Sequence, residues 1–180
     1  MVGEELFHPD TRALLSYGRA LAGIGAAPSG GGAASLAGRL FVADRLTSGR
    51  LQVRTFGSEL ASLFGADLRD ADLRDQFFPP DQLLLAAFIA AIEAAKEPGV
   101  MRLLGETQDA RRLGAEMLLT PLRTEIHQTD RLLGLFQPLG GEALLQGRPL
   151  VRLKIGALHP PFARQPAPSG GLKLVVNNDV

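Results

Sequence analysis

The spacing of apolar positions changes several times along the chain, and each change marks an element. Leu14, Tyr17, Leu21 and Ile24 recur at helical spacing, with Arg12 and Arg19 turned away, which predicts a helix from His8 to about Ala22. Ala26 to Ala34 holds only Gly, Pro, Ser and Ala, the composition of a flexible linker. Alternation then takes over. Arg39 to Leu46 and Arg50 to Phe56 read as strands around a Thr47-Ser48-Gly49 turn, with Leu51 and Val53 on one face and Gln52 and Arg54 on the other. The second strand runs straight into a short helix, Gly57 to Phe64. Gly57 sits at the bend, where a residue without Cβ bends most easily, and Gly65 stands as the glycine that ends the helix.

A polar linker follows, Ala66 to Gln76. It contains two identical pentapeptides, Ala66-Asp67-Leu68-Arg69-Asp70 and Ala71-Asp72-Leu73-Arg74-Asp75. Two copies are too few to bury a core by stacking, so the pattern predicts short helical turns lidding the core, with Leu68 and Leu73 inward. Pro79-Pro80-Asp81 restarts the chain as a helix N-terminus. The main helix, Pro80 to Lys96, carries a Leu85, Phe88 and Ile92 stripe widened by Leu84 and Ile89. Ala86, Ala87, Ala90 and Ala91 are expected to let it lie close to a sheet. Glu97-Pro98-Gly99 ends it. Three strands are predicted next, Val100 to Leu104, Arg111 to Leu122 and Arg131 to Phe136, with a turn at Glu106 to Ala110 and a polar loop at Arg123 to Thr129. Strands on each side of a helical block suit an α+β domain with an antiparallel sheet. Leu150 to Ile155 reads as one more strand or a docked arm. Pro160 to Gly171 has a mobile composition, and Leu172 to Val176 is β-prone and suited to a sheet edge.

The segment from Arg50 to Asp81, with its flanking strands, resembles a PAS domain, and more narrowly the small single-PAS proteins of alphaproteobacteria. The residues that carry the resemblance are Arg54-Thr55-Phe56-Gly57, Leu63-Phe64-Gly65, Glu116-Met117-Leu118-Leu119-Thr120-Pro121-Leu122, and Leu133-Gly134 leading to Pro138-Leu139. It covers about His8 to Leu139. Two positions depart from that family: Tyr17-Gly18 stands where a Tyr-Trp pair is frequent, and Asp70 where a glycine is frequent. The resemblance implies a PAS-like five-stranded antiparallel sheet covered by helices, with an N-terminal helix and a flexible C-terminal arm. The expected division is 1–34 for the helix and linker, 35–139 for the PAS domain and 140–180 for the arm. It also implies that Phe64, Phe77, Phe88, Met101, Met117, Leu119 and Leu133 line the space between sheet and helices. Such a stripe is more often plain core than a ligand box. Any ligand there would be small and apolar, since few polar side chains could orient it. By the same resemblance, Leu14, Tyr17, Leu21 and Ile24 form a homodimer surface.

Composition narrows the chemistry. The chain has 180 residues, formal net charge zero and no cysteine. Zero net charge gives no electrostatic footprint for nucleic acid or an acidic membrane. Without Cys there is no disulfide, thiolate metal site, cysteine nucleophile or cysteinyl flavin adduct. Met1 to Leu6 does not read as a signal peptide, and the longest apolar run, Leu83 to Ile92, is well short of the ~20 residues a membrane helix needs. A cytoplasmic protein is the default. His8, His127 and His159 have no second ligand at metal spacing, and no His lies on the main helix to hold haem. Ser16, Ser58 and Ser62 lack a nucleophile elbow, and Gly30-Gly31-Gly32 lacks the Lys-Ser/Thr of a phosphate loop. Asp67, Asp70, Asp72 and Asp75 interleave with Arg69 and Arg74, as a solvated, self-paired face does. No catalytic constellation, metal site or cofactor is expected. The sequence therefore suggests a non-catalytic signalling and interaction module of a bacterial cell, an output-less regulator or adaptor that binds a partner protein. The alternative is a sensor carrying a small apolar metabolite, and an enzyme on the same fold ranks third.

Overall fold

The computed structural model describes residues 4–21, 36–122 and 130–161. Ile24, the Ala26–Ala34 linker, the Arg123–Thr129 loop with His127, and Leu172–Val176 lie outside them. Six strands form one antiparallel sheet: β1 Leu40–Arg45, β2 Leu51–Phe56, β3 Gly99–Thr107, β4 Arg112–Leu122, β5 Asp130–Pro138 and β6 Leu150–His159. Their order across the sheet is β2-β1-β5-β4-β3-β6. The expected five strands are thus β1 to β5. The sixth resolves the choice between strand and docked arm, since β6 pairs with β3 from Thr107↔Leu150 to Val100↔His159. Without it, β3 would present a long row of unpaired N–H and C=O groups.

Helix α1 (Pro9–Leu21) lies on one face of the sheet, here called outer. Helices α2 (Ser58–Phe64) and α3 (Gln82–Ala95) belong to the other face. That inner face holds the main core. Phe41, Val53, Leu60, Phe64, Leu85, Phe88, Ile92, Met101, Met117, Leu119 and Phe136 belong to one continuous apolar cluster. The outer cluster is smaller: Leu14 and Leu15 of α1 meet Val100, Leu118 and Leu135. Strand alternation makes the division, since Met117 and Leu119 point inward while Leu118 points outward.

α3 is apolar nearly all round, and only one face meets the sheet. Leu85, Phe88, Ile89 and Ile92 are buried, as the stripe predicted, while Leu84, expected to widen it, is 46 % exposed. The alanines expected against the sheet are instead turned away: Ala86, Ala87 and Ala90 are exposed and Ala91 is half-buried. At about 100° per residue they lie opposite Leu85 and Ile92, so both sets cannot face the core. Close approach to the sheet comes from Gly99, where an added Cβ would fall 2.7 Å from Phe88 Cζ.

The segment between α2 and α3 holds both edges of the sheet. Val53 of β2 donates its N–H to Ala71 O (3.0 Å) and accepts from Asp70 N–H (2.8 Å), while Leu51 N–H reaches the Asp72 carboxylate at 3.1 Å. At the far edge, Phe78 N–H donates to Leu153 O of β6 (2.8 Å) and Ile155 N–H to Asp81 Oδ2 (2.8 Å). Leu73 is buried and Leu68 half-buried, both packed toward the core from this segment, as the two pentapeptides suggested.

Both glycines around α2 matter, for different reasons. Gly65 has φ 65°, the left-handed stop that was expected, and a Cβ there would meet Pro149 at 2.7 Å. Gly57 is extended, with φ −67° and ψ 152°, so the bend itself does not demand glycine. Its requirement is steric, because a Cβ would overlap the Gly38 carbonyl.

Candidate functional site

The space between sheet and helices is where a ligand would sit, and its wall residues decide what it can hold. Phe64, Phe77, Phe88, Met101, Met117 and Leu119 all fall in the inner cluster, none more than 8 % exposed. Phe64 stands edge-on to Phe136, with centroids 5.6 Å apart, and to Phe56 at 5.9 Å, a geometry aromatic pairs favour. Phe41 lies so close over Gly134 that a Cβ there would overlap its ring. Leu133, expected in this wall, is on the other face of the sheet, packed beside the outer cluster. Leu132 and Phe136 are the inward residues of β5. The Leu132-Leu133 doublet conceals the register that alternation would otherwise reveal. Every buried member of the inner cluster is hydrocarbon or thioether, so no side chain in it offers a hydrogen bond to a bound molecule.

The outer face is of a different kind. Thr11, Leu14, Leu15 and Gly18 are the buried residues of α1, and Gly18 lets the helix settle on Thr120, whose Oγ1 would lie 2.7 Å from a Cβ at that position. The expected surface of Leu14, Tyr17, Leu21 and Ile24 is therefore divided. Leu14 is spent on its own sheet, Tyr17 is 44 % exposed, and the Leu21 side chain and Ile24 lie outside the described residues. The packed face is rotated by roughly 90° from that stripe, at 100° per residue. Small Thr11 and Gly18 carry no apolar signal, and no hydrophobicity pattern would have found them.

Polar groups are sealed beneath α1. Glu116 is buried on β4, its Oε2 accepting the His8 N–H at 3.0 Å, while Arg102 stands 3.7 Å from Oε1. Glu116 Oε1, Thr11 Oγ1 and Thr120 Oγ1 have no hydrogen-bond partner. Each such group subtracts from the stability of the docked helix. Further along the same face, Asp44 is buried between two arginines. Arg131 Nε donates to Oδ1 at 2.7 Å and Arg54 Nε to Oδ2 at 2.7 Å. The Arg131 hydrogen bond, outweighing burial together with Arg54, holds the Asp44 carboxyl below the ordinary aspartate range.

The aspartates of the two pentapeptides part company. Asp67 pairs with Arg69 at the exposed surface. Asp72 is buried, which the solvated-face reading did not foresee. It caps the turn at Leu73–Gln76 through Arg74 N–H, accepts Leu51 N–H, and meets the Arg74 guanidinium at 2.6 Å. Burial pushes its carboxyl up, and these bonds outweigh that to leave it lowered. Of the histidines, His8 Nδ1 accepts Asp10 N–H and His159 stands edge-on to Phe7 at 5.0 Å. Arg39 joins three elements, bonding Gln137 of β5 and pairing with Asp10 of α1 and Glu59 of α2 beside a surface cleft of ≈160 Å³.

A model of the PAS domain family matches residues 6–137. The chain belongs to the PAS domain family. PAS domains are signalling modules, generally sensory and non-catalytic, and the α+β antiparallel architecture described above is theirs. Solved structures similar to this PAS domain include the light-state structure of the blue-light photoreceptor Aureochrome1 LOV, at 15 % identity and TM-score 0.46 over 62 % of this chain and 91 % of that one. Another is a light-oxygen-voltage domain studied with a flavin analogue, at 14 % identity and TM-score 0.44 over 59 % and 83 %. No curated protein matches. Among the described residues, no helix of this PAS domain is long and apolar enough to cross a membrane.

Proposed function

We propose that this PAS domain is a non-catalytic signalling module that acts by binding a regulatory protein partner, in the cytoplasm of a bacterium, with no ligand in its core. The observation that supports this reading is the apolar lining of the space between sheet and helices. The light-oxygen-voltage relatives invite the question of a flavin. An isoalloxazine needs a flat slot and polar groups for its ring edge, and here Phe88 closes on Gly99, Phe41 closes on Gly134, and the side chains of the inner cluster are all apolar. The residues present do not fit that group. A signal read by this domain is then a change at its surface, and the outer face, with Tyr17 half-exposed on a helix set over unpartnered polar groups, is the surface suited to it.

The test uses the purified full chain. Its native mass should equal 19.1 kDa or an integer multiple, with no visible absorption. A protein captured by the wild type should be lost by Tyr17→Asp at unchanged melting temperature. A copurifying chromophore or small molecule overturns the reading in favour of the metabolite-carrying sensor.

A further inference from the structure

The outward face of α3 is the least explained surface of the molecule. A helix buries an apolar stripe and keeps a polar face for water, and one that is apolar all round is normally buried all round. The 14 residues of α3, Gln82–Ala95, include only Gln82 and Glu93 as polar side chains. Leu83 is 81 % exposed and Leu84 46 %, and they continue into exposed Ala86, Ala87, Ala90 and Ala94. This is a charge-free strip running along the helix, uncovered among the described residues.

We propose that this strip is the interface with a second copy of the chain, two α3 helices packing antiparallel about a two-fold axis near Ala87 to Ala90. Two features of the strip point to a copy of itself as the occupant. The first is charge. In a two-fold contact every residue near the axis meets its own twin, so a charged residue there meets a like charge. A strip without charge is the kind that tolerates self-pairing. The second is shape. The bulky residues, Leu83 and Leu84, stand at one end and the small ones, Ala90 and Ala94, at the other. Turning the second helix end for end sets each leucine over the partner's alanines, a knob facing a hole at both ends. The same reversal lays the positive end of each helix dipole beside the negative end of the other. A lipid surface fits less well, because a helix that lies on membranes carries Lys or Arg along its polar face and α3 has none.

A single helix face covers roughly half of the ~800 Å² per partner of a standard interface, so the dimer is a reversible one, with dissociation in the micromolar range. This differs from the α1 stripe as a dimer surface. It leaves α1 and the outer face free for the regulatory partner, so that pairing and partner binding use opposite sides of the sheet.

Sedimentation of the full chain across 1 to 200 µM tests it, by order-of-magnitude choice around that affinity. The wild type should pass from monomer to dimer within this range. Leu83→Asp should remain monomeric throughout with an unchanged melting temperature, since the side chain is in water in the single copy. The absence of cysteine allows a second readout. Ala87→Cys should oxidise to a disulfide-linked dimer at least about tenfold faster than Val151→Cys, another exposed apolar position, on β6. A wild type monomeric at 200 µM overturns the proposal. So does a dimer that survives Leu83→Asp but is lost in Tyr17→Asp, which would return the interface to α1. A dimer that appears only when residues 162–180 are removed also overturns it, because those residues would then be the cover. A wild type that stays monomeric leaves the partner-binding reading standing; a dimer lost in Tyr17→Asp would occupy the α1 surface, and capture of a different protein by the wild type then tells the two readings apart.

Discussion

The two faces of the sheet are built by opposite rules. On the inner face, α2 and α3 lock aromatic and aliphatic side chains against the sheet, and the buried polar side chains at its rim, Asp72 and Thr107, are hydrogen-bonded. On the outer face, Leu14 and Leu15 of α1 rest on Val100, Leu118 and Leu135, while Glu116 Oε1, Thr120 Oγ1 and Thr11 Oγ1 at the same contact have no hydrogen-bond partner. A face whose buried groups are apolar or hydrogen-bonded loses those contacts if opened. A face that traps unpaired polar groups regains their hydration when it opens, so opening it costs less. The inner face holds most of the core, and the outer face is the one that opens at lower cost. A signalling module needs both kinds, and here they share one layer of backbone.

The largest effect expected from this contrast is at Phe88. Phe88→Ala should cost about 3–5 kcal/mol, the range for a large ring removed from a closed core, measured by urea unfolding. Leu15→Ala, equally buried but on the outer face, should cost only about 2 kcal/mol, at the bottom of the range for its chemistry, because α1 can lift as a unit. Amide exchange should show α1 opening well before β4 in the wild type. If both variants lose the same stability, and α1 exchanges with the sheet, the faces are not separable and the comparison fails.

Much of this division was legible and some was not, for physical reasons. The β1–β2 hairpin, the Gly65 stop and the inward stripe of α3 rest on local spacing and turn chemistry, and they stand where the sequence put them. β6 depends on an edge supplied by β3, some fifty residues earlier in the chain, and nothing local announces such a partner. The face of Leu133 was hidden by a leucine on each face of β5, and the packed face of α1 by its reliance on Thr11 and Gly18. Gly57 was correctly singled out, but its reason lies in the Gly38 backbone across the bend, a contact that exists only after folding. Of the candidate wall residues, six share the inner cluster. That Phe88 closes on Gly99 and Phe41 on Gly134 follows from rotamers and backbone approach that spacing does not encode.

A smaller effect is expected from Asp44, the polar clamp of the outer face. Asp44→Asn should cost about 1–2 kcal/mol at neutral pH, because two arginine donors lose their charged acceptor and both are partly in water. The pH dependence has a definite sign. The Asp44 carboxyl is lowered in the folded state, chiefly by Arg131, so its contribution is complete above the unfolded value near 3.8 and is lost as pH falls through the lower folded value. The Asn variant should therefore show a shallower loss of stability below about pH 4. An unchanged acid limb would remove Asp44 as the titrating group.

The smallest effect is at the rim of the inner face. Gly65→Val should cost on the order of 1 kcal/mol or somewhat more, since a β-branched residue fits a φ of 65° poorly and its Cβ would meet Pro149. The measure is the urea midpoint at unchanged slope. An unaltered midpoint would mean that the chain between α2 and the linker rearranges freely, and that the inner face is softer at its edge than at its centre.

The segment from Asp70 to Asp81 fastens to β2 and to β6, two strands separated by most of the domain's sequence. This has a consequence in time. While the chain is being made, α2, the linker and α3 emerge long before β6, and until then one of the two fastenings has nothing to hold. Contacts so distant in sequence form late and slow the approach to the native state. The domain should stay on the ribosome as an unsealed intermediate until β6 has left the exit tunnel. A nascent chain stalled before Leu150 should remain open to protease, and one stalled beyond His159 with room to clear the tunnel should not.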